Sequence, residues 1–236
     1  MDGSLLEIRS WIECSIVKRL NRFVVEVYIS GGITRAYINN TGRLKEYMAR
    51  NRRAFCLLKE GGKTSYRLFA VEDQGFAALI DTQLQMRAFE AALSRNMIPW
   101  FTGCRVIKNP RLGDSVLDYL VECGGRRVFV EVKSAVLRGD HIYAMYPDCP
   151  TLRGRRHIKE LINHVIGGGY AAMVFIAALP GVKAFKPYRE GDPVVEKLLG
   201  EAIRRGVIIK ALSMYFDPHR STINLDNPDL PIAYPL

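Results

Sequence analysis

The segment from Ser115 to Ser134 constrains the fold of this chain more than any other. Two runs rich in β-branched and apolar residues, 115–122 and 127–134, flank the sequence Cys123-Gly124-Gly125-Arg126. Two consecutive glycines between such runs are typical of a two-residue turn in which both residues have positive φ, so the segment is predicted to form a β-hairpin. With the two glycines as its loop, Cys123 faces Arg126.

Counting outward from this turn places Asp118 opposite Glu131. Because side chains alternate between the two faces of a strand, Lys133 is expected on the same face as these carboxylates. The other face is apolar, and its predicted stack pairs Leu117, Tyr119 and Val121 with Val128, Val130 and Val132. One face of the hairpin is therefore predicted to join the core, while the other carries two acids and an amine.

Two carboxylates directly opposite each other destabilise a sheet unless positive charge compensates them, and one lysine cannot neutralise both. Magnesium is bound in proteins by one or two carboxylates together with water and phosphate oxygens, so Asp118 and Glu131 are the predicted metal ligands. Lys133 would orient the attacking water or stabilise charge on a phosphate. The alternative is that Glu131 and Lys133 form a solvated pair on an exposed strand.

The elements around the hairpin predict an α/β domain with a mixed sheet. A helix is expected over Met86–Arg95, and the sequence after the hairpin predicts helix, strand, helix and strand in that order. Right-handed crossovers would place these strands beside the Glu131 strand. The predicted ranges are 151–166 for the first helix, capped by Thr151, then 171–179, 192–205 and 207–216.

One polar stripe runs along the helix predicted over 151–166. Arg153, His157, Glu160 and His164 follow one another at helical spacing, opposite an apolar face. Such a stripe borders an active site in one interpretation and is an ordinary solvated surface in the other.

The first part of the chain predicts a small barrel. One hairpin covers Phe23–Ile38 with its turn at Ser30–Ile33, a second covers Phe55–Phe69 with its turn at Gly61-Gly62, and a short helix is expected over Leu44–Arg50. Five strands with a helix after the third are the plan of an OB-fold, whose exposed face often binds single-stranded nucleic acid through basic and aromatic side chains.

Positive charge favours a polyanionic partner. The formal net charge is +10 and the pI is near 9.5, and clustered Lys and Arg attract phosphates. In the first part of the chain Tyr28, Tyr37 and Tyr47 lie among the basic residues. The competing interpretation is a merely soluble or thermophile-like surface.

Cysteine usage and hydropathy predict a cytoplasmic protein. The five cysteines are odd in number and form no Cys-x-x-Cys pair, so reduced, mostly structural thiols are expected. The longest apolar stretch, Tyr170–Leu179, is too short to cross a bilayer, and the N-terminus lacks a signal-type apolar core.

Several short stretches of this sequence match the pattern of a known family. They are Asn21-Arg22-Phe23, Asn40-Thr41-Gly42-Arg43-Leu44, Asp81-Thr82, Asp118, Val130-Glu131-Val132-Lys133-Ser134, Tyr146-Pro147-Asp148, Thr151, Arg153-Gly154 and His157. With them, the chain resembles the sugar fermentation stimulation protein family from about Arg19 to Met214. This sequence departs from the family pattern at Val116, where arginine is usual, and at Gln85-Met86, where Pro-Asn is usual.

The resemblance implies an α+β architecture with an OB-like barrel over residues 1–80 and a restriction-endonuclease-like domain over 81–236. That second domain would be of the PD-(D/E)xK nuclease type, with the family's acidic residue on Asp118 and its Glu-x-Lys on Glu131 and Lys133. Glu90, one position from the family's helical glutamate, is the candidate fourth catalytic residue. The candidate nucleic-acid contacts are Arg22, Arg35, Arg43, Arg153 and His157.

Three functions follow from this resemblance and from the charge pattern. The first is a Mg²⁺- or Mn²⁺-dependent nuclease acting on DNA. The second is a DNA-binding regulator whose nuclease-like domain is not catalytic. The third is an RNA-processing protein, because OB-like domains bind either nucleic acid. A homodimer is compatible with each of them.

Overall fold

Two groups of secondary-structure elements follow one another in the computed structural model, which describes residues 3–59 and 61–234. The first group consists of β1 (Ser4–Glu7), β2 (Trp11–Arg19), β3 (Val24–Ile29), β4 (Gly32–Tyr37), β5 (Arg53–Leu58), β6 (Tyr66–Asp73) and β7 (Phe76–Leu79). The second consists of α1 (Thr82–Ser94), β8 (Arg105–Lys108), β9 (Arg111–Leu112), β10 (Ser115–Val116), β11 (Tyr119–Cys123), β12 (Arg126–Ala135), β13 (Leu137–Gly139), β14 (Tyr143–Tyr146), α2 (Leu152–Ile166), β15 (Tyr170–Ala177), β16 (Ala184–Pro187), α3 (Pro193–Arg205), β17 (Ile208–Asp217) and β18 (Thr222–Asn227).

Strands β2 to β6 form the OB-like barrel that the two hairpins predict. β3 pairs with β2 and β4, and β5 pairs with β2 and β6, all antiparallel. A short parallel contact, Ala36↔Tyr66 and Tyr37↔Arg67, joins β4 to β6, so the barrel is only partly closed. The strand that the two hairpins do not account for is β2, whose buried Cys14 and Ile16 face the core.

The helix predicted over Leu44–Arg50 is wrong. This segment forms turns, with a single helical bond from the Met48 amide to the Leu44 carbonyl at 2.9 Å. Leu44 has a φ of +49°, which no helix accepts, and its amide donates to Asp148 Oδ2 at 2.9 Å. Tyr47 is buried and donates to Asp73 Oδ2 at 3.1 Å. Tertiary contacts therefore override the local helical pattern.

The second group of elements contains the predicted mixed sheet. β12, β15 and β17 are parallel neighbours, while β11 and β8 extend the sheet antiparallel on the far side of β12. The predicted helices after the hairpin are confirmed, with Thr151 capping α2 and Asp192 capping α3. Because the strands are buried on both faces, they read as nearly continuous apolar runs.

Helices cover the two faces of this sheet. α1 packs on the face that carries Tyr119, since the rings of Phe89 and Tyr119 lie 5.8 Å apart. α2 packs on the opposite face, where His164 contacts the ring of Phe129 at 4.9 Å. In the part of the chain that the structure describes, none of the helices has the length and apolar character needed to cross a bilayer.

The barrel and the mixed sheet form one continuous sheet. β7 follows β6 on the barrel side and pairs with β17 through Phe216↔Ala77. β1 lies against β18 rather than in the barrel, so the first described residues pack beside the second group of elements. Arg138 adds a polar contact across the junction, because its guanidinium donates to Asp73 Oδ2 at 2.6 Å. These contacts set the position of the barrel relative to the hairpin.

The expectation of five reduced cysteines is wrong for one pair. Cys104 and Cys123 form a disulfide, with their Cα atoms 4.7 Å apart. Pairing of β8 with β11 sets Arg105 opposite Glu122, which brings the preceding Cys104 next to Cys123. Strand β8 was not predicted, so the sequence did not indicate this proximity. Cys14, Cys56 and Cys149 are free thiols.

Candidate active site

The β11–β12 hairpin has the predicted register. Gly124 and Gly125 have φ values of +54° and +79°, as a two-residue turn with positive φ at both positions requires. Cys123 pairs with Arg126 and Tyr119 with Val130, which leaves Asp118 one position further out, level with Glu131. The backbone ladder ends at Tyr119, and the Asp118 side chain continues it, since Oδ2 accepts from the Val132 amide at 2.7 Å.

Glu131 is the buried centre of the site. Its side chain is only 3% exposed, and Oε1 accepts from Lys133 Nζ and lies 2.6 Å from His157 Nδ1. The other oxygen, Oε2, is also buried and has no hydrogen-bond partner among the described residues. An unpaired buried carboxylate oxygen is costly, so it marks a position where a ligand would be favoured.

The two carboxylates have unequal acidities. Burial, followed by the negative charge of Glu131, raises the pKa of Asp118 to about 6. Burial also acts to raise the pKa of Glu131, yet the hydrogen bond from His157 and the charge of Lys133 together lower it. Glu131 is therefore the stronger acid of the pair, and burial beside Glu131 disfavours the charged form of Asp118.

The structure places His157 beside Glu131 and not on a nucleic-acid-binding surface. It is 1% exposed, so its predicted contact with nucleic acid is wrong. Arg153 Nε donates to His157 Nε2 at 3.3 Å, and because a guanidinium only donates, Nε2 accepts. The proton of the neutral ring then lies on Nδ1, which donates to Glu131. The i, i+4 spacing of Arg153 and His157 was visible in the sequence, but the contact of His157 with Glu131 was not.

Glu90 is not brought to the other acids. Its carboxylate accepts from the Tyr119 hydroxyl at 3.0 Å and pairs with Lys108 Nζ at 2.8 Å. Because side chains alternate along β11, Tyr119 points to the face opposite Asp118. The structure thus gives Glu90 an ion pair near the sheet edge instead of a place beside Asp118 and Glu131.

A cavity of about 390 Å³, called the acidic cavity below, opens beside Asp118 and Lys133. The amino-terminal end of α1 forms its other wall, and the buried Gln85 is held there by a 2.6 Å hydrogen bond to the Leu79 carbonyl. The cavity is lined by Thr82, Gln83, Gln85, Met86, Asp118, Val132, Lys133 and Ser134. It gives a small polar ligand access to Asp118 and Lys133.

The residues of this site suit an oxygen-preferring divalent cation. No cluster of three or more His, Cys, Asp or Glu side chains with metal-binding geometry occurs in residues 3–59 and 61–234, so a closed protein cage is absent from them. Two carboxylates, one with the unpaired Oε2 of Glu131, are instead the donor set of a site completed by water and substrate oxygens. Asp118 and Glu131 would hold such an ion.

The barrel surface carries cations and exposed rings. Arg22, Arg35 and Arg43 are exposed, and none of their guanidiniums has an ion-pair partner within the described part of the chain. Phe23 and Tyr28 are each 47% exposed, whereas Tyr47 is buried and cannot contact a ligand. Arg153, on α2, is exposed as well as hydrogen-bonded to His157.

Comparisons with known proteins agree with this arrangement. Residues 17–80 match the family described as the SfsA N-terminal OB domain, and residues 83–220 match the sugar fermentation stimulation protein RE domain. A sugar fermentation stimulation protein homolog of Pyrococcus furiosus is 51% identical over 214 residues, covering 90% of this chain and 93% of that protein. A homolog of Archaeoglobus fulgidus is 47% identical over 229 residues, covering 97% and 99%.

A solved structure shows the same fold. It is described as Pyrococcus furiosus SfsA in complex with Ca²⁺, and it is 47% identical to this chain, with a TM-score of 0.93 and coverage of 98% of this chain and 99% of that one. An OB domain and a restriction-endonuclease-like domain thus follow each other in the same order in both proteins. This chain belongs to the sugar fermentation stimulation protein family.

Proposed function

We propose that the protein is a divalent-metal-dependent phosphodiesterase that acts on DNA. The observation that carries the proposal is the pair formed by Asp118 and Glu131, in which one buried oxygen, Glu131 Oε2, is unpaired and an amine lies beside it. The cation-binding relative from Pyrococcus furiosus supports a site for a hard divalent ion in this fold. Magnesium or manganese is the proposed ion in this chain.

Each protein group has a distinct part in phosphodiester hydrolysis. The bound cation would supply Lewis acidity and lower the pKa of water. Lys133 lies on the wall of the acidic cavity, where its ammonium can neutralise charge that develops on the phosphate oxygens. Water attacks phosphorus and releases a proton to solvent, one P–O ester bond breaks, and the leaving oxygen takes up a proton from solvent. His157 holds the Glu131 carboxylate in position through the hydrogen bond between Nδ1 and Oε1.

The division of labour between the two parts of the chain is also a proposal. The first part of the chain, with residues 1–80 as its proposed limits, would bind the strand through Arg22, Arg35 and Arg43 of the barrel, and residues 81–236 would carry the hydrolytic site. Phosphate contacts of this kind position the nucleic acid without reading its sequence. Action in the cytoplasm, and as a homodimer, is compatible with this proposal.

The test is cleavage of labelled DNA, single-stranded and duplex, and of matched RNA, each with Mg²⁺ or Mn²⁺. Asp118→Ala is expected to abolish cleavage, and Lys133→Ala to lower kcat about 10²–10³-fold. Asp114→Ala is the matched control, because Asp114 is an exposed acid on the neighbouring loop. Cleavage that persists in Asp118→Ala at the level of the control variant would contradict the proposal. Preferential cleavage of RNA would instead favour the RNA-processing alternative.

A second candidate function is a DNA-binding regulator without hydrolytic activity. The unpaired guanidiniums and exposed rings of the barrel favour it, since they provide binding that needs no metal. Salt-dependent DNA binding in the presence of a chelator, combined with the absence of cleavage under every metal condition, would support this second function over the first.

A further inference from the structure

A second cavity lies between the barrel and the mixed sheet, and we call it the interdomain cleft. It has a volume of about 190 Å³. One wall is the barrel loop Asn40–Gly42, the other is Tyr146–Cys149 with Thr151, and the floor is formed by Ser134 and its neighbours on β12 and β13. Its lining combines an amide, several hydroxyl groups and a carboxylate with apolar side chains.

The walls of the interdomain cleft are held rigidly. The guanidinium of Arg19 donates to the carbonyl groups of Asn40, Gly42 and Arg43, so these hydrogen bonds hold the barrel loop in one conformation. Across the cleft, Asp148 accepts from the Leu44 amide, and a Cβ on Gly42 would lie 2.6 Å from Asp148 Oδ2. A pocket whose walls are fixed before a ligand arrives loses little entropy on binding.

The interdomain cleft adjoins the acidic cavity at Ser134. Ser134 lines both, and it directly follows Lys133 on β12. Its Oγ is buried and has no hydrogen-bond partner in the described residues, although the hydroxyl can both donate and accept. On the other wall, burial raises the pKa of Tyr146, and the negative charge of Glu131 contributes, so this tyrosine also lies within the field of the site.

The size and charge of the cleft restrict its occupant. Its volume is several times the roughly 30 Å³ of a liquid water molecule and below the roughly 300 Å³ of pockets for drug-sized ligands. Asp148 disfavours a phosphate there, whereas the unpaired hydroxyl group of Ser134 can hydrogen-bond to the edge of a neutral heterocycle. A base pair cannot enter a space of this size between two fixed walls.

We propose that the interdomain cleft is a subsite for one unpaired base of the substrate strand, next to the phosphate that Lys133 faces. This inference rests on the proposed function, because it takes the acidic cavity as the place where the phosphate binds. It adds a substrate class: strands in which the nucleotide beside the scissile phosphate is unpaired or readily extruded. Extrusion of a base is least costly in single strands and at mismatches.

The test is a scan with abasic sites, with binding measured by fluorescence anisotropy in the presence of Ca²⁺. DNA strands that each lack one base, at successive positions, are compared with the intact strand. At one position the loss of the base is expected to weaken binding about tenfold, the scale of one well-held base. A fully paired duplex of the same sequence is expected to bind more weakly at equal salt.

Two variants connect this penalty to the cleft. Thr41→Leu fills the cleft from an exposed position on the barrel loop and should remove the abasic penalty, while Ser134→Ala should reduce it. Ser65→Leu is the matched control, an exposed serine of the barrel outside the cleft, and should retain the full penalty. An equal penalty in Thr41→Leu and Ser65→Leu, or no position-specific penalty at all, would overturn the inference.

Cleavage is scored separately from this scan. A protein that hydrolyses DNA without a position-specific abasic penalty would keep the proposed function and lose the subsite. If the abasic penalty disappears in Thr41→Leu but the protein never cleaves DNA, the subsite proposal stands and the phosphodiesterase proposal is refuted.

Discussion

Two kinds of buried carboxylate occur in this molecule, and they differ in how completely their oxygen atoms are hydrogen-bonded. Asp192 is fully buried, and it accepts from Arg155, the Thr151 amide and the first amides of α3. Glu131 is 3% exposed, yet its Oε2 has no partner among the described residues, and the adjacent Asp118 has a raised pKa. The satisfied group stabilises the fold. In the second case, the unpaired Oε2 is where the proposed cation would bind.

The largest effect that tests this contrast is expected for Asp192→Ala. The substitution leaves Arg155 without its ion-pair partner and removes the cap of α3, so it should lower the free energy of unfolding by about 3–5 kcal/mol. Urea denaturation followed by circular dichroism measures the change. Glu190→Ala, at an exposed acid two residues earlier, should change stability little. Equal free energies of unfolding for the two variants would show that the hydrogen bonds and the ion pair of Asp192 do not stabilise this region.

The next effect concerns the support of Glu131. His157→Ala removes the donor to Oε1 and should weaken Ca²⁺ or Mn²⁺ binding about 10–100-fold by calorimetry. His157→Asn keeps an N–H near the position of Nδ1 and should recover part of the affinity. His164→Ala is the control, since His164 lies on the same stripe of α2 but contacts Phe129. A purely structural role for His157 predicts lower stability in His157→Ala without loss of metal affinity once the protein is folded.

A smaller effect of opposite sign is expected for Asp118→Asn without metal. The folded-state pKa of about 6 lies above the ordinary value of 3.8, so ionisation of Asp118 disfavours the folded state as pH rises through this window. The amide can still accept from the Val132 amide. Above pH 6 the variant should therefore be more stable by about 1–2 kcal/mol, and this gain should vanish below pH 4. Thermal unfolding between pH 3 and 8 measures it, and a gain that persists at pH 3 would contradict the electrostatic origin.

The smallest effect belongs to the exposed cations of the barrel. Arg22→Ala and Arg35→Ala should each weaken DNA binding a few-fold and reduce the slope of log affinity against log salt by about 1. Arg9→Ala is the control, because Arg9 is also exposed but pairs with Glu7 at 2.8 Å. Slopes that are unchanged in both barrel variants would place the nucleic acid on another surface.

Sequence reasoning succeeded where the pattern was local. The Gly124-Gly125 turn specifies a register by itself, and that register aligns Asp118 with Glu131 across the hairpin. The cap at Thr151 was likewise visible, because a cap needs only the first amides of its own helix.

Sequence reasoning failed where contacts between segments far apart in the chain determine the structure. His157 approaches Glu131 only because α2 packs on one particular face of the sheet, and 26 residues separate the two in sequence. The turns at Leu44–Arg50 depend on Asp148 and Asp73, and the Cys104–Cys123 bond depends on an unpredicted strand.

By itself, the sequence determined the alternation of α2, β15, α3 and β17, the hairpin register and therefore which three side chains share one face. Those properties follow from turn chemistry and from the two-residue period of a strand, which act over a few residues. Only the tertiary structure decided that Oε1 of Glu131 is satisfied while Oε2 is not, and that the barrel loop closes a cleft beside Ser134. Burial and hydrogen bonding depend on every segment packed around an atom, so no local pattern contains them.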